Sequence, residues 1–358
     1  MLTTLTVAVF TVTVMNADAD IAGPLLVELS RVSGDRLAFR SAPVRMTGGF
    51  WAQIFSFELE GPPTPFAGPL VLRVMPDAVA GRRETVVQSW LGDGGYPVAP
   101  VLHSGSARGL GAAFMVMPRI AGRSPVADLR LGPALVGLRR ILRSIPELLA
   151  DATIRLHALD VTPLGELLAN VGDRASDGGA APFLDMVEQA SVCGSAGFDE
   201  LIRWFDRNRP VASRKVLCHG DLHPFNLLVD DHGALTVLDW TGATIAAPEM
   251  DIGFTAGLLR CAPIAVPRVI APVIARITDH LADSFVSACQ KESPLDASLL
   301  AWWEALQYAR CLAEVARARV TPGSAVGPAH PFETSAPSMV NRLRGLTQVA
   351  VKLPAPRR

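Results

Sequence analysis

This sequence of 358 residues has few cysteines, almost no net charge and no long apolar run. The five cysteines form no C-x-x-C pair, which argues against a zinc knuckle or a disulfide framework and favours a reducing compartment. The 33 basic and 34 acidic residues give a formal net charge of -1, without the basic surplus of a nucleic-acid-binding domain. No apolar run reaches the length of a membrane span. These absences predict a cytoplasmic protein with neither nucleic acid nor membrane as partner.

The N-terminal segment lacks positive charge. Residues 1–15 are apolar and rich in threonine, but no Lys or Arg precedes Arg31. A secretory signal needs a positively charged start, so this segment is interpreted as an extra strand or an over-extended start, with Met15 as the alternative first residue. Asn and Asp side chains between positions 16 and 20 fit the cap and first turn of a helix through Leu29.

Strand-like and helical patterns divide the rest of the chain into two parts. Between Arg45 and Met117, apolar runs alternate with turn residues, which predicts short strands and one helix. The strands are predicted at Phe50–Leu59 and Leu70–Met75, forming a hairpin, then at Val98–His103 and Ala113–Pro118, with a helix over 82–91. After Gly122, apolar residues recur at helical spacing. Helices are predicted over 145–160, 198–207, 264–290 and 296–319, and an irregular segment over roughly 321–338.

The candidate catalytic and metal-binding residues are concentrated in segment 216–251. It reads VLCHGDLHPFNLLVDDHGALTVLDWTGATIAAPEMD, with Asp221 in an H-x-D, Asn226 five residues later, and Asp239 after a predicted hairpin with an Asp/Gly turn. Phosphoryl transfer needs a carboxylate at the acceptor hydroxyl and oxygen ligands for the metal ions that neutralise the triphosphate. The spacing puts Asp221 and Asn226 on one loop and Asp239 at the end of the hairpin returning beside it.

The strings HGDLHPFN and LDW resemble the aminoglycoside phosphotransferase and choline kinase family of small-molecule kinases. The resemblance covers about residues 40 to 320. It implies an α+β, two-lobed, protein-kinase-like fold, with a small antiparallel-sheet N-lobe and a larger, mainly helical C-lobe. It also implies transfer of the γ-phosphoryl group of ATP or GTP to a small-molecule hydroxyl.

The resemblance also assigns roles within this segment. Asp221 would be the catalytic carboxylate, and Asn226 and Asp239 would hold Mg²⁺. His219 is interpreted as a loop anchor and Asp251 as the residue that braces the catalytic loop. One departure is Phe225, which stands where a glycine is common in the family.

The nucleotide site is predicted in the first part of the chain. The paired glycines Gly48 and Gly49 can bring backbone amides close to a phosphate. Arg73 is a lone charge in the apolar strand LVLRVM, and a buried charge needs a partner, for which Glu84 is the natural candidate. By resemblance, Arg73 would contact the α- and β-phosphates, although it could also extend along a strand edge to solvent. Met117 would lie in the hinge strand beside the base.

The domain organisation follows from the same resemblance. The predicted segments are an N-terminal segment and helix over 1–39, a nucleotide-binding N-lobe over 40–119, a catalytic and acceptor-binding C-lobe over 120–320, and a Pro/Gly-rich C-terminal segment over 321–358. The sequence does not specify an oligomeric state.

The acceptor is the least specified part of the prediction. Only eleven residues separate Asp239 from Asp251, too few for the segment with which protein kinases dock a peptide, so a small hydroxylated molecule is expected. Residues 151–210 contain ten acids and five arginines, which indicates either a cationic acceptor or a solvated helix face. The aromatic residues Trp302, Trp303 and Tyr308 could line an acceptor pocket or belong to the core.

Two other functions remain open at this point. A nucleotide-binding protein without catalysis would share the nucleotide site. A metal-dependent hydrolase could use the H-x-D-x-H formed by His219, Asp221 and His223, although zinc sites need further ligands, and the remaining histidines are scattered singly.

Overall fold

The computed structural model describes residues 21–46, 52–127, 134–172, 179–191, 193–209, 211, 214–264, 269–320 and 330–355, with backbone alone for 134–141. Gly48 and Gly49 lie outside the described residues, as do segment 1–20 with its predicted helix cap and two of the ten acids, Asp173 and Asp177.

A five-stranded antiparallel sheet forms the first part of the protein. Its strands are β1 Phe39–Arg45, β2 Gln53–Leu59, β3 Pro69–Met75, β4 His103–Gly105 and β5 Ala113–Pro118, in the order β1-β2-β3-β5-β4. The predicted hairpin is confirmed, because β2 pairs with β3 in continuous antiparallel register. The apolar alternation of β2 buries Phe55, Phe57 and Leu59 on one face of the sheet.

The prediction of a strand over Val98–His103 is wrong except at its last residue. Pro100 has no amide hydrogen to give to a sheet ladder. Val98 instead forms an isolated bridge with Val237 of the second part of the chain, and the carbonyl of Ala99 accepts from Gln88 Nε2 at 2.7 Å. This segment therefore joins the sheet to the helical part instead of extending the sheet.

Two helices flank the sheet. Helix α1, Ala22–Ser33, runs four residues past its predicted end and buries Leu25 and Leu29 against the sheet core. Each such buried leucine contributes about 2 kcal/mol of hydrophobic stabilisation. Helix α2, Ala78–Asp93, begins where Asp77 caps the amide of Ala80 at 2.7 Å.

The second part is mainly helical. The helices are α3 Ala134–His157, α4 Thr162–Asn170, α5 Ala181–Ser191, α6 Phe198–Arg207, α7 Pro248–Arg260, α8 Ala271–Glu292, α9 Ala297–Val320 and α10 Ala336–Thr347. Nearly every residue of α7 is buried, because this helix packs between α8 and α9. The α9 residues Trp302, Trp303 and Tyr308 are buried in the hydrophobic core of this helical part. Their burial favours the core interpretation over an acceptor pocket. Among the described helices, none is long and apolar enough to cross a membrane.

Three predicted boundaries in this part are wrong. The helix predicted over 145–160 extends from Ala134 to His157, with Pro146 inside it. The helix predicted from 264 begins at Ala271, because Pro272 is tolerated in a first turn and not in a helix interior. The irregular segment predicted over 321–338 gives way to α10 from Ala336, which again places a proline, Pro337, in its first turn. The buried face of α10, including Met339 and Leu343, packs against α9.

Two short antiparallel pairs interrupt the helices and position the candidate site. Strand β6, Val216–Cys218, pairs with β9, Thr244–Ala246, and β7, Leu227–Val229, pairs with β8, Leu235–Val237. The β6–β7 loop and the β8–β9 loop therefore lie side by side. The predicted α+β architecture, a small antiparallel sheet followed by a larger helical lobe, is confirmed. We keep the names N-lobe and C-lobe, while the exact domain boundaries stay a prediction.

Candidate active site

A buried carboxylate accepts hydrogen bonds from the backbone of the β6–β7 loop. Asp251, in the first turn of α7, accepts hydrogen bonds from the amides of His219 at 3.0 Å and Gly220 at 2.9 Å. It also contacts His157 Nε2 at 3.2 Å. Burial would raise the pKa of Asp251, but His157 and these backbone donors together lower it below its ordinary value. The contacts of Asp251 are those expected of a residue that braces the loop.

Gly220 is required by the close approach of the two loops. Its φ is +77°, and a Cβ at this position would lie 2.3 Å from the carbonyl oxygen of Gly242 in the β8–β9 loop. An L side chain would therefore meet both backbone strain and a clash with backbone.

His219 ties the same loops together with its side chain. Its Nε2 lies 2.9 Å from the carbonyl oxygen of Leu238, and its Nδ1 accepts from the amide of Asp221 at 3.3 Å. A carbonyl can only accept, so Nε2 carries the proton, and the ring links the residue before Asp239 to the amide of Asp221. The ring also lies 4.6 Å from that of Trp240. These contacts are structural and leave no ring nitrogen for acid–base chemistry.

Asp221 and Asn226 form one hydrogen-bonded unit. Asn226 Nδ2 donates to the carbonyl oxygen of Asp221 at 2.9 Å, and the backbone carbonyl of Asn226 accepts from the amide of Leu238 at 2.8 Å. The Asp221 carboxylate itself is 38% exposed. It thus combines a rigid backbone with a side chain that a bound molecule can reach.

Asp239 has an unusual backbone. Its φ is +62°, the left-handed region that few residues other than glycine adopt, and such strain is often found at functional sites. Its Oδ1 accepts from Arg73 Nη2 at 2.7 Å and from Thr241 Oγ1 at 2.7 Å. Burial would raise the pKa of Asp239, but the Arg73 charge and the Thr241 hydroxyl lower it below its ordinary value.

The predicted ion pair between Arg73 and Glu84 is present. Arg73 Nε lies 3.0 Å from Glu84 Oε1, although the angle is not that of a hydrogen bond, and both side chains are buried. Burial is the largest influence on Glu84 and raises its pKa, with Arg73 acting in the opposite direction. Burial favours loss of the Arg73 charge, yet Asp239 and Glu84 together raise the arginine pKa. Arg73 is therefore a buried cation between two carboxylates and not a strand-edge side chain reaching solvent.

Thr241 is a site residue that sequence reasoning missed. Its hydroxyl accepts from Arg73 Nη2 at 2.7 Å and contacts Glu84 Oε2 at 3.1 Å as well as Asp239. Its backbone carbonyl accepts from Arg83 Nη2 at 3.0 Å. Thr241 thus bridges the N-lobe pair and the C-lobe loop. A hydroxyl two residues after Asp239 is the only trace of this role in the sequence, and it is not specific.

Met117 lies buried near the end of β5, opposite Val71 of β3, with its Sδ 3.8 Å from Gln88 Nε2. This is the position predicted for the hinge strand. Its part in binding a base stays a prediction, as does the phosphate-binding role of Gly48 and Gly49.

The contacts do not support the zinc-hydrolase alternative. His219 Nε2 is engaged by the Leu238 carbonyl, and His223 Nε2 is 3.8 Å from Asp221 Oδ2. Within the described ranges, the metal-capable side chains close enough to share an ion are His157, Cys218 and Asp251, a buried group behind the loop. That group does not contain the H-x-D-x-H set.

The acids of residues 151–210 are exposed wherever the structure describes them, and their relation to an acceptor stays a prediction. The eight that lie in the described residues are all exposed. Asp151 lies 3.6 Å from Arg155, and Asp160 accepts from the amide and hydroxyl of Thr162. The charged side chain that contacts Asp221 across the fold is instead a cation, Arg310 of α9, which the sequence analysis did not single out.

A comparison with known protein families identifies the family of this chain. The model of the phosphotransferase enzyme family, APH, matches residues 61–279, more than half of the chain and all of the loops described above. The protein belongs to this phosphotransferase family.

Solved structures share the fold of this family member. A Ralstonia eutropha protein, provisionally assigned as an aminoglycoside phosphotransferase, aligns with a TM-score of 0.60 at 17% identity over 91% of this chain and 95% of its own. An ethanolamine kinase of Plasmodium vivax aligns with a TM-score of 0.54 at 10% identity, covering 87% and 84%. Aminoglycoside phosphotransferase APH(4)-Ia aligns with a TM-score of 0.52 at 17% identity, covering 91% and 98%. At these identities the likeness establishes the two-lobed fold.

One curated relative is more similar in sequence but over a shorter stretch. The uncharacterized protein YcbJ of Bacillus subtilis (strain 168) is 32% identical over 106 residues, which are 29% of this chain and 34% of that protein. The match spans about a third of that relative, so its identity adds no functional assignment.

Proposed function

We propose that this phosphotransferase-family protein moves the γ-phosphoryl group of ATP or GTP to a hydroxyl group of a small molecule. One observation carries the proposal. A continuous set of contacts links Asp221, Asn226 and Asp239 to the buried pair Arg73 and Glu84. Phosphoryl transfer is catalysed mainly by positioning and electrostatic stabilisation, and a preorganised set of carboxylates and cations suits both.

Asp221 is the group proposed to act on the acceptor. Its exposed carboxylate can accept a hydrogen bond from an incoming hydroxyl, orient the oxygen and take the proton as the new bond to phosphorus forms. The backbone of Asp221 is fixed through Asn226 and His219, so the carboxylate is presented from a rigid loop.

Asn226 and Asp239 are the proposed ligands of Mg²⁺, an ion that takes oxygen donors. Asn226 uses its amide nitrogen on the Asp221 carbonyl, which leaves its amide oxygen for a metal. Asp239 Oδ1 is engaged by Arg73 and Thr241, which leaves Oδ2. When bound, the ion neutralises charge on the triphosphate. The lowered pKa of Asp239 keeps this ligand ionised at neutral pH.

The nucleotide is proposed to lie between the lobes. Arg73 carries a permanent charge at the level of Asp239, where it can contact phosphate oxygens, and Glu84 holds it in place. Gly48 and Gly49 would supply backbone amides, and the apolar side chain of Met117 would pack on the base.

A small molecule is the proposed acceptor. The eleven residues between Asp239 and Asp251 are occupied by β9 and the start of α7, which leaves no segment on which a peptide could dock. Neighbours of the same fold are an ethanolamine kinase and an aminoglycoside phosphotransferase solved with ADP and hygromycin B. A metabolite and an antibiotic are therefore both within the proposed class, because one fold supports many acceptors.

ADP release against a panel of hydroxylated acceptors tests the proposal. The panel includes aminoglycosides, macrolides, ethanolamine, choline and sugars, each with ATP and with GTP, with Mg²⁺ present and after its removal by a chelator. We expect acceptor-dependent release that stops when the metal is removed. Nucleotide binding by calorimetry without any turnover would instead support the nucleotide-binding protein that lacks catalysis.

A further inference from the structure

A cation on helix α9 of the C-lobe contacts the carboxylate of Asp221. Arg310 of α9 lies 89 residues further along the chain, and its Nη2 is 3.4 Å from Asp221 Oδ1. The contact is a property of how this chain packs.

Aromatic rings hold the Arg310 guanidinium in place. Its Cζ lies 5.6 Å from the ring centroid of Phe183 in α5 and 5.5 Å from that of Phe254 in α7. Both distances fall within the range of cation–π attraction. The side chain is 14% exposed, so the guanidinium has little freedom to move away from Asp221. Burial opposes its charge, but nearby acidic groups, among them Glu314 and Asp221, raise the Arg310 pKa.

Stability alone does not account for this arginine. A contact of 3.4 Å to a carboxylate that is 38% exposed is worth little as a salt bridge. Arg310 Nε is buried without a hydrogen-bond partner among the described residues, an arrangement that costs free energy. Arg310 is therefore a largely buried cation whose guanidinium also contacts the accessible carboxylate of Asp221.

We propose that Arg310 is a positioning residue that holds Asp221 Oδ1 and so presents Oδ2 to the acceptor hydroxyl. This inference rests on the proposed function, in which Asp221 acts on the acceptor. A free carboxylate rotates broadly about its last torsion, whereas one oxygen fixed to an immobile guanidinium restricts that rotation. Arg310 stays protonated throughout, so it orients the carboxylate without exchanging a proton.

A double-mutant cycle with matched controls tests the inference. Turnover is measured as Mg²⁺-dependent ADP release from ATP with water as the acceptor, and again with a hydroxyl acceptor that the panel identifies. The variants are R310M, R310K, D221N and the double variant R310M/D221N. R319M is the control, because Arg319 lies on the same helix with a similar exposure of 17% and pairs with Glu333 away from the loop.

The expected result is a loss confined to kcat. R310M should lower kcat by about 10- to 100-fold, as small misplacements of a reacting group do, and leave the KM for ATP unchanged. R310M should have no further effect in the D221N background, because the group it positions is already lost. R319M should lower the melting temperature and leave kcat unchanged. R310K should fall between the wild type and R310M, since an ammonium supplies the charge without the planar fork.

Distinct outcomes overturn distinct claims. If D221N loses turnover and R310M does not, or if R310M lowers kcat as much in the D221N background, the positioning role is wrong and the proposed function stands. If D221N keeps turnover, the proposed function fails and the positioning role fails with it. Should R310M not fold, a crystal structure of R310K decides the matter, because an Asp221 carboxylate unmoved by the substitution would also overturn the inference.

Discussion

The two sides of the proposed active-site cleft hold their charges in opposite ways. On the proposed nucleotide side, Arg73 is 7% exposed and is enclosed by Glu84, Asp239 and Thr241 at 2.7–3.0 Å. On the proposed acceptor side, Asp221 is 38% exposed and its nearest charged contact, Arg310, lies at 3.4 Å. One side is a closed network and the other presents a carboxylate that a bound molecule can reach.

This difference fits what each side has to do in phosphoryl transfer. Phosphate and metal carry the same charges in every turnover, so groups that meet them can be fixed in advance by one another. The acceptor must enter, be oriented and leave, so the group that meets it has to stay accessible. We therefore expect substitutions on the nucleotide side to affect stability and nucleotide affinity together, and those at Asp221 to affect turnover alone.

The largest effect is expected from Asp221→Asn. Loss of a general base should lower kcat by about 10²- to 10⁴-fold, while the melting temperature and nucleotide affinity stay near the wild type because the side chain is exposed. ADP release and calorimetry measure the two. Asp231→Asn, an exposed acid in the turn between β7 and β8, is the control and should retain full activity. Near-wild-type turnover of Asp221→Asn would show that Asp221 does not act on the acceptor, and the contrast between the two sides would lose its functional meaning.

Arg73→Ala should disrupt the charged network on the proposed nucleotide side. It leaves the buried carboxylate of Glu84 and the half-buried carboxylate of Asp239 without their cation, which costs about 3 to 5 kcal/mol of unfolding free energy, and nucleotide affinity should fall with it. Urea unfolding and calorimetry test both. The matched control is Arg40→Ala in β1, whose ion pair with Glu58 is exposed and should be worth about 1 kcal/mol or less. Equal losses in the two variants would contradict the closed network.

Thr241→Val tests the hydroxyl at the centre of that network. Valine keeps the shape and removes the hydroxyl, which accepts from Arg73 and donates to Asp239 or Glu84, so we expect a loss of about 2 to 3 kcal/mol, typical of bonds to charged groups. Thr241→Ser retains the hydroxyl and should recover most of it. If the valine variant unfolds at the same urea concentration as the wild type, Thr241 does not couple the lobes.

The smallest effect is expected at His330, a largely buried group whose Nε2 lies 3.6 Å from Glu314 Oε2. Its Nδ1 accepts from the amide of Phe332 at 3.3 Å, and burial, opposed by Glu333, lowers the pKa of His330 to about 4. The unfolded chain, with a histidine pKa near 6.5, binds the proton first, so stability present above about pH 6.5 is lost as the pH falls towards 4.

The measurement is the unfolding free energy at pH 7 and pH 5. The wild type should lose roughly 1 to 2 kcal/mol more than His330→Gln over this interval, with turnover per folded molecule equal in both. A parallel pH dependence of the two proteins would show that His330 does not titrate in this way. A large change in turnover would show that the two sides of the cleft are not as self-contained as the comparison holds.

Local patterns were sufficient for most elements. The hairpin of β2 and β3, the helix over Phe198–Arg207 and the strands around the Asp/Gly turn follow from apolar spacing and turn residues. The errors arose where a proline or a long-range contact decides the outcome. Pro100 and the bridge of Val98 to the C-lobe replaced a predicted strand, and Pro272 set the start of α8.

Residues close together in the chain were the easiest part of the site to predict. Asp221, Asn226 and Asp239 lie within one loop–hairpin–loop unit, so a fixed spacing is enough to bring them together. Arg73 and Glu84 could be paired because a lone charge in an apolar strand needs a partner. Their roles in catalysis and nucleotide binding remain predictions that the variants above address.

What the sequence by itself determined is the unit that carries Asp221, since it depends on short-range spacing, together with the resemblance of its motifs to a family, which implied the two-lobed fold. What only the tertiary structure decided is which distant side chains meet that unit. Thr241 reaches Arg73 and Glu84, 168 and 157 residues away, and Arg310 reaches Asp221 from 89 residues away. Such long-range contacts depend on how the helices pack and how closely the loops approach each other. The local sequence around a charged or hydroxyl residue on a helix or turn does not indicate its distant partner.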